Sequence, residues 1–300
     1  MPQAAKLKMQ TATKLAPLFA AGRAGLCPLT PKEEAEALAF LAGGSVDSIF
    51  MSGLIHDNGT QSPHNRGDFR AFRGEGGALE GVALVGHATL VEARTARALE
   101  AFARLAKGCR TAHVIVGEQE KVEQFWTLYR DGGQEPRRIC RELLFELRAP
   151  VADDQAEPRL RRATFLDLAD VLSVNARMAE EESGVNPLTA DPEGFRKRTL
   201  RRIEQGRVWV LVDDGRLVFK ADVMSETPEF AYLEGVYVNP EDRRRGVGRR
   251  CLAQLSRTLL SGARAVCLLV NEQNKDALAF FFKVGFKLRG CYDTIFLKRV

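Results

Sequence analysis

The chain has 300 residues, of which 45% are hydrophobic and 28% charged, a composition typical of a globular protein with a packed core. Its formal net charge is +5, and the excess lies in short basic runs, without the long basic stripe and interleaved aromatics of a nucleic-acid binder. No apolar run approaches the length of a membrane span. The cysteines and histidines show neither metal-ligand spacing nor a disulfide-framework pattern. We therefore expect a cytoplasmic protein without a metal, membrane or nucleic-acid partner.

A polar segment near the middle of the chain, residues 149–158, contains a proline near each end and is typical of a linker between domains. It predicts an N-terminal extension over residues 1–30, a first domain over 31–150, a linker over 151–158 and a second domain over 159–300. The first residues include basic side chains but no continuous apolar region or clear cleavage site, which favours an ordinary N-terminus over a targeting peptide.

The spacing of apolar residues predicts strands and helices in both halves of the chain. In the first half we expect three strands, a helix, a strand, a helix and a strand, over residues 69–72, 78–85, 88–91, 95–107, 112–116, 121–129 and 139–147. In the second half we expect a strand, two helices, a hairpin, a strand, a helix, a strand and a helix, over residues 160–164, 166–182, 192–203, 208–223, 229–238, 248–260, 265–270 and 275–283, before a last pair of strands through residue 297.

The most specific feature of the second half is the segment from Val236 to Leu252. A β-branched apolar run ends at a proline, passes three arginines and reaches two glycines where a helix begins. The first N–H groups of a helix have no partners within it, and with the helix dipole and the guanidinium groups they can hold a diphosphate. An ordinary solvated turn with a glycine helix cap is the alternative. The residues of this predicted phosphate seat are Arg243, Arg244, Arg245, Gly246, Val247, Gly248 and Arg249.

Two short segments match in sequence, and each is followed by a helix that carries aromatic residues: VGEQEK at residues 116–121 and VNEQNK at residues 270–275. Together with the shared order of elements, the match indicates a duplicated module. The first copy has lost the phosphate seat. We expect the segment His87–Ala93 in its place, and this segment has no glycine pair and contains an acid that would repel phosphate.

Two ordered motifs of the second half resemble those of the GNAT (GCN5-related) N-acetyltransferases. The motifs are Arg243-x-x-Gly246-x-Gly248 and Asn274-x-x-Ala277-x-x-Phe280-Phe281-x-x-x-Gly285-Phe286. The resemblance is strong over residues 232–297 and moderate back to residue 159, and the first half is similar to the degenerate partner module found ahead of some bacterial GNAT domains. It implies an α+β fold of tandem GNAT-like modules, with mixed, mainly antiparallel sheets flanked by helices, and acetyl-CoA as cosubstrate.

The resemblance also assigns residues to the cofactor. It implies that backbone groups of Val236 and Val238, with Tyr237 between them, hold the pantetheine amides, and that a strand N–H stabilises the thioester oxyanion. On the following helix it implies contacts with the pantetheine arm and the sulfur from four residues: Asn274, Ala277, Phe280 and Phe281.

The reaction that the resemblance implies is direct attack of a neutral amine on the thioester, so a base or a water chain must take a proton. The best candidate is Glu234, on the strand that ends beside the phosphate seat. Strand alternation places it on the same face as Val236 and Val238 unless a bulge at Gly235 intervenes. The alternatives are a Glu234 that only forms a salt bridge with a neighbouring arginine, and a base elsewhere.

The tyrosine that commonly protonates the leaving thiolate in this family is replaced by Phe281, which has no proton to give. Either the thiolate leaves unassisted, since a thiol with a pKa of ~8.5 is a tolerable leaving group, or another group such as Tyr292 donates the proton, or the enzyme is impaired. Tyr292 lies in a predicted strand, where a packed core aromatic is the alternative.

The function expected from these features is acetyl transfer from acetyl-CoA to the primary amine of a small molecule, peptide or protein. The acids at residues 180–182 end a helix near the expected acceptor site, where they attract a cationic amine or merely form a solvated helix end. The alternatives are a non-catalytic acyl-CoA sensor, suggested by Phe281, and a tandem enzyme similar to mycothiol synthase. A homodimer is left open.

Overall fold

The structure, a computed structural model, describes residues 24–42, 46–151 and 157–298, with the side chains of residues 46 and 47 set aside. Most of the expected N-terminal extension and the centre of the expected linker lie outside these residues. The end of the extension belongs to the fold, because Gly25–Pro28 forms an edge strand and Leu29 is buried. Val151 and Glu157, on either side of the linker's centre, are buried as well. The division into domains stays a prediction.

Twelve strands in the described ranges form one continuous sheet. In chain order they are β1 Gly25–Pro28, β2 Gly67–Arg73, β3 Leu79–Gly86, β4 Ala88–Ala93, β5 Val114–Glu118, β6 Pro136–Leu147, β7 Arg161–Arg162, β8 Val208–Asp213, β9 Arg216–Glu226, β10 Phe230–Val238, β11 Ala265–Asn271 and β12 Lys287–Leu297.

The described residues also form nine α-helices, which cover both faces of the sheet. In chain order they are α1 Glu34–Leu41, α2 Val46–Asn58, α3 Ala96–Lys107, α4 Gln119–Tyr129, α5 Leu168–Ser183, α6 Pro187–Ala190, α7 Pro192–Glu204, α8 Val247–Leu260 and α9 Lys275–Val284.

The predicted hairpin of the second half is confirmed. Strands β8 and β9 pair in antiparallel register from Val208 to Asp213. The turn between them uses Asp214 and Gly215, both with positive φ angles of +48° and +72°. Two successive residues with positive φ make the kind of turn that matches the right-handed twist of paired strands, and aspartate and glycine tolerate it best.

The predicted last pair of strands is wrong. Residues Lys287–Leu297 form the single strand β12, which pairs with β6 along its length. A register shift between Leu288 and Gly290 interrupts the pairing without ending the strand. The segment around Gly290 therefore forms a bulge, a feature that local sequence does not distinguish from a hairpin.

The sheet order is β1-β2-β3-β4-β5-β12-β6-β11-β10-β9-β8-β7. Strands β4 and β5 are parallel, as are β10 and β11, and the other neighbours are antiparallel. The last strand of each half pairs with the other half: β12 with β5, and β6 with β11. Since β6 and β12 pair with each other at the centre, the two halves are related by a pseudo-twofold axis and exchange their last strands. The expected α+β fold with a mixed, mainly antiparallel sheet is confirmed.

Helix α2 of the first half packs on strands of the second. The Ser225 hydroxyl donates a hydrogen bond to the Ile49 carbonyl over 3.2 Å, and the rings of Phe50 and Tyr232 lie 4.3 Å apart between centroids. A Cβ on Gly53 would lie only 1.9 Å from the Ser225 hydroxyl oxygen, so this helix approaches β9 as closely as a glycine permits. The two modules thus share a packed interface in addition to the sheet.

Candidate active site

The predicted phosphate seat is an exposed turn between β10 and α8. After Asn239, a short 3-10 turn over Pro240–Asp242 leads into Arg243–Gly246, all of which are exposed. Asp242 anchors the turn, because its carboxylate accepts hydrogen bonds of 2.5 and 3.2 Å from Arg216. This pairing, opposed by burial, holds the pKa of Asp242 below its usual value. The turn is therefore fixed at its base while its arginines face solvent.

Gly246 and Gly248 are needed for different reasons. Gly246 is the N-cap of α8 and has a φ of +77°, a conformation that favours glycine. The first hydrogen bond of the helix runs from the Arg250 N–H to the Gly246 carbonyl over 3.1 Å, so the N–H groups before Arg250 point out of the helix. A Cβ on Gly248 would lie 2.8 Å from Val238 Cγ2, so this glycine lets α8 approach the end of β10.

A gap opens between the two parallel strands beside this turn. Strands β10 and β11 pair only from Phe230 to Leu233, although β10 continues to Val238 and β11 to Asn271. Val236 and Val238 pack on the α8 side of the gap, against the same core as that helix. The edge of β10 over these residues therefore has backbone groups available beside the helix N-terminus.

A β-bulge at Gly235 turns Glu234 away from the predicted face. The pairing of β10 with β9 shifts register between Glu234 and Tyr237, and Gly235 has a φ of +57°. The prediction that Glu234 shares a face with Val236 and Val238 is therefore wrong, because the bulge adds a residue to this strand. Glu234 lies on the α5 side of the sheet, whereas Val236 and Val238 lie on the α8 side. The gap between β10 and β11 therefore has Glu234 on one face of the sheet and the two valines on the other.

Tyr237 shares the α5 side of the sheet with Glu234. Its side chain is buried in a cluster with residues of α5 and β8, and the Arg177 guanidinium lies 5.1 Å from its ring centroid. It therefore borders the predicted cofactor site with its backbone, while its side chain belongs to the opposite layer.

Glu234 lies in a recess of the protein surface, called the cleft below. Its side chain is exposed, yet the loss of solvation by the surrounding protein raises its pKa to about 7, with Arg202 acting in the opposite direction. Water thus reaches a carboxylate that protein surrounds closely. A carboxyl group with a pKa near 7 is well suited to accept a proton at neutral pH.

Two further carboxylates interact with Glu234 across this cleft. Burial raises the pKa of Glu182, on α5, to about 8, and the charges of Glu142 and Glu234 raise it further. Burial also raises the pKa of Glu142, on β6, although the Thr294 hydroxyl donates a hydrogen bond to it. The cleft therefore combines carboxylates from three elements, and one of these elements belongs to the first half of the chain.

Beneath the bulge lies a buried polar network. Lys220 is fully buried, and its ammonium donates hydrogen bonds to Asn175 and, over 3.0 Å, to Asp222. Arg202 also donates to Asp222 over 3.2 Å. A Cβ on Gly235 would lie 2.6 Å from Lys220 Nζ, so the lysine occupies the space that the glycine leaves. The network supports the bulge from below and thereby sets the position of Glu234.

The comparisons with known proteins agree with this geometry. A family model described as an acetyltransferase (GNAT) domain matches residues 204–288, which include the gap, the bulge and the turn. The chain carries a GNAT acetyltransferase domain. No curated protein sequence matches the chain.

Solved structures show that the tandem GNAT fold extends over most of the chain. A tandem GNAT protein from the clavulanic acid biosynthesis pathway is 15% identical, with a TM-score of 0.57 over 90% of this chain and 97% of that one. A GNAT-family acetyltransferase from Colwellia psychrerythraea is 12% identical, with a TM-score of 0.54 over 91% and 99%. A GCN5-related N-acetyltransferase from Sphaerobacter thermophilus is 14% identical, with a TM-score of 0.54 over 90% and 94%. The two halves are GNAT-like modules, as the sequence predicts.

The second motif of the GNAT domain lies at the start of α9. Asn274 is exposed and caps the helix, since its Oδ1 accepts a hydrogen bond of 3.1 Å from the Ala277 N–H. Phe280 reaches the N-terminus of α8, because a Cβ on Gly248 would lie 3.4 Å from its ring. Asn274, Ala277 and Phe280 thus border the same gap as the phosphate seat.

Phe281 belongs to the core of the GNAT domain. It is 6% exposed, and its ring packs edge-on against Phe280 and Phe286, with centroids 5.2 and 5.5 Å away. Tyr292 is also buried, at 2% exposure, in a cluster with Ile49 and Tyr232 on the opposite side of the sheet. Both side chains are therefore fixed by packing, and Tyr292 shares the side of the sheet that carries the cleft.

The first module lacks the phosphate seat, but not where the sequence suggests. The segment His87–Ala93 is mostly strand β4 itself, and the turn to α3 consists of only Arg94 and Thr95. In the GNAT domain the corresponding turn has eight residues, from Asn239 to Gly246. The first module has thus lost the turn as a whole.

The acids at residues 180–182 pointed to Glu182, but the other residues that surround Glu234 were not predicted from the sequence. Glu142 comes from β6 of the other module, so no local pattern connects it with Glu234. Lys220 and Asp222 left a signal, since they are charged residues at alternate positions in the apolar middle of β9. Such residues on one face of a buried strand require partners there, and they could have indicated a polar site.

Among the described residues, no three histidine, cysteine, aspartate or glutamate side chains are grouped to hold a metal. No helix in the described ranges is long and apolar enough to cross a membrane.

Proposed function

We propose that the protein is an acetyl-CoA-dependent N-acetyltransferase that transfers the acetyl group to a primary amine of a cationic acceptor. The observation that carries the proposal is the gap between β10 and β11. On one side of the sheet it adjoins the exposed turn at the N-terminus of α8, and on the other side it adjoins Glu234. A thioester on one side and an amine on the other can meet in such a gap.

The residues present fit acetyl-CoA, which supplies the acetyl thioester. The turn Arg243–Gly246 offers exposed guanidinium groups and helix N–H groups to the diphosphate. The backbone edge of Val236–Val238 would hold the pantetheine amides, and Asn274 would contact the same arm. Phe280 packs between the N-terminus of α8 and α9, beside the gap.

Glu234 is the proposed general base. Its carboxylate accepts a proton from the acceptor nitrogen, whose electron pair forms the C–N bond to the acetyl carbon while the C–S bond breaks. We propose that the thiolate leaves unassisted, because a thiol pKa of ~8.5 makes it a tolerable leaving group. Phe281 has no proton to donate, and Tyr292 is the alternative donor.

Charge in the cleft supports a cationic acceptor. Burial raises the pKa of Glu142, Glu182 and Glu234, and neighbouring carboxylates raise the pKa of Glu182 and Glu234 further. Ionising these groups therefore costs free energy unless a positive charge is nearby. A bound ammonium group relieves this cost by favouring the ionised forms. The free thiols of the six cysteines support a cytoplasmic location as part of this proposal.

The test is an assay of CoA release with a panel of amines that share one primary amino group and differ in their remaining charge. We expect turnover to be highest for amines with a second positive charge and to fall by about 100-fold in Glu234→Gln, in the range of a lost general base. Glu229→Gln, just before the same strand, is the matched control and should retain activity. Acetyl-CoA binding without turnover of any amine would contradict the proposal.

A further inference from the structure

Tyr232 lies where the gap between β10 and β11 begins. The last two residue pairs of these parallel strands join Tyr232 with Cys267 and Leu233 with Leu268, and both strands then continue without pairing to each other. The two leucines belong to the core that contains α8, whereas Tyr232 and Cys267 belong to a cluster on the opposite side of the sheet. The closed end of the gap therefore carries two leucines on the cofactor side and Tyr232 on the cleft side.

The Tyr232 side chain extends across this closed end toward β11. Leu269 follows the last paired residue of β11, and its backbone N–H donates a hydrogen bond to the phenol oxygen. Burial raises the pKa of Tyr232 well above its usual value. The charges of Glu234, Glu142 and Glu182 raise it further, so these carboxylates lie near the phenol. The ring therefore spans from one strand to the other beside the proposed base.

The Tyr232 ring is held in place by the first module. Tyr232 is 2% exposed, and the ring of Phe50 on α2 lies 4.3 Å away between centroids, at an interplanar angle of 57°. Ile49 of the same helix is buried in the same cluster as Tyr232. Because a close-packed interior yields little, the ring cannot turn away from the gap unless α2 moves.

The proposed function, on which this inference rests, requires the acyl carbon of a bound thioester to lie in the gap, within reach of an amine beside Glu234. Tyr232 precedes Glu234 by two residues and lies on the same side of β10. Two residues of a strand span about 7 Å, so the ring is a direct neighbour of the proposed base. An acyl chain that continues from this carbon toward the closed end of the gap meets the Tyr232 ring.

We propose that Tyr232, supported by Phe50 of the first module, limits the transferred acyl group to acetyl. The methyl group of acetyl leaves the ring undisturbed, whereas the further carbon atoms of a butyryl chain meet a ring that α2 prevents from yielding. Extra methylene groups in a packed site are unfavourable because neighbouring side chains must leave their preferred rotamers. The first module thus determines acyl length through a packing contact, although it lacks the phosphate seat.

The test is calorimetric titration of the full chain with acetyl-CoA and with butyryl-CoA, together with kcat/KM for the two donors and one amine. We expect the wild type to bind butyryl-CoA about tenfold more weakly than acetyl-CoA, an effect of the size that overpacking produces. In Tyr232→Leu the two affinities should lie within about threefold of each other, because the smaller side chain leaves space. Phe50→Ala should shift the ratio in the same direction, and the ratio of kcat/KM values should change in parallel.

Two controls separate acyl selectivity from stability. Tyr232→Phe keeps the ring and removes only the hydroxyl, so it should keep the wild-type ratio of affinities. Tyr129→Leu replaces a tyrosine that is 0% exposed in the core of the first module, away from the gap, and it should lose stability without changing the ratio. A lower folded fraction reduces activity with both donors equally, so the ratio does not depend on how much of a variant is folded.

Equal affinity of the wild type for the two thioesters would overturn the acyl limit. A wild-type ratio in Tyr232→Leu would overturn its assignment to this ring, and a wild-type ratio in Phe50→Ala would overturn the part played by the first module. Should both thioesters bind but no amine be acetylated, the proposed transferase function falls, and the calorimetric comparison still tests the acyl limit. Should neither thioester bind, both proposals fall.

Discussion

Glu234 and Glu182 are carboxyl groups that water reaches and that nevertheless keep their protons to a higher pH than an ordinary glutamate. Their pKa values, about 7 and about 8, are raised first by burial and then by neighbouring carboxylates. Glu182 has no role in the proposed proton transfer, so its raised pKa affects stability. The raised pKa of Glu234 sets the pH above which the general base is ionised. The two residues therefore give separate, measurable pH effects.

The pH dependence of kcat/KM tests Glu234. A base must be ionised, so activity should fall about tenfold per pH unit below about 7 and level off above it, apart from titration of the amine itself. Glu234→Gln should lose the limb near pH 7 and keep only that of the amine. The measurement is the pH profile of kcat/KM for the wild type and for Glu234→Gln with the same amine. An identical limb in the variant would remove Glu234 from the role of base.

Stability against pH tests Glu182. The folded protein keeps this proton up to a pH of about 8, while the unfolded chain releases it near the ordinary value of 4.5. The folded state thus binds more protons in this window, so the free energy of unfolding should decrease as the pH rises from about 5 to about 8. Glu182→Gln, which stays neutral, should lose less stability over this window in denaturant titrations at pH 5 and 8.5. Glu181→Gln, its exposed neighbour on α5, should behave as the wild type.

At the scale of elements, the bulge in β10 and the N-terminus of α8 position the site. The bulge depends on a glycine that combines a positive φ with a close neighbour, Lys220. The helix N-terminus depends on a turn whose base is anchored by Asp242 and whose arginines are exposed. One element directs the acid to the cleft and the other offers positive charge to an anion, so each can be perturbed separately.

Replacement of Gly235 by alanine should straighten or displace the bulge. The new methyl group meets both an unfavourable φ of +57° and Lys220 Nζ at 2.6 Å, so we expect a loss of about 2 kcal/mol in unfolding free energy. Gly132→Ala is the matched control, since Gly132 has a φ of +82° but nothing within 4 Å of the added Cβ. Chemical denaturation should show the smaller loss for Gly132→Ala. Equal losses would mean that Lys220 does not support the bulge.

Neutralising the turn should weaken the binding of CoA. Arg244→Gln with Arg245→Gln removes two exposed cations beside the helix N-terminus, and each contributes on the order of 1 kcal/mol to anion binding. Calorimetry should show CoA affinity lowered by about 10- to 30-fold and a weaker dependence on salt. Arg264→Gln, an exposed arginine beyond the other end of α8, should leave affinity unchanged. An unaltered affinity in the double variant would contradict the phosphate seat.

At the scale of the whole molecule, the exchange of β6 and β12 makes each module depend on the other. Glu142, one of the three cleft carboxylates, lies on β6, and β6 separates β11 from β12 in the sheet. The GNAT domain by itself would therefore lack both a cleft residue and the strand that covers the edge of β11. Exposed strand edges of this kind favour aggregation.

Separate expression of the halves tests this dependence. Residues 1–151 and 152–300 should each be unfolded or aggregated alone, because β5 and β11 lose their antiparallel neighbours. When the two fragments are co-expressed they should co-purify, and the intact chain should unfold in one cooperative transition by calorimetry. Two well-separated transitions, or a monomeric folded fragment 152–300, would show that the modules are independent.

Much of the fold and part of the site could be predicted from local sequence. The hairpin at Asp214–Gly215 follows from residues that tolerate positive φ, and the turn before α8 follows from arginines, glycines and the start of an apolar helical repeat. The match of residues 116–121 with 270–275 indicated the duplicated module. These features depend on neighbours in the chain, so a single sequence contains what is needed to recognise them.

What the sequence alone predicted correctly is therefore most of the order of elements and the duplication, while the phosphate seat stays a prediction. Only the tertiary structure decided that the modules exchange their last strands, that Gly235 bulges over Lys220, and that Glu142 joins Glu182 and Glu234 in one cleft. Strand partners, bulges and raised pKa values arise from contacts between residues far apart in the chain. The free energy of each such contact depends on both residues, so the local sequence around either one does not predict it.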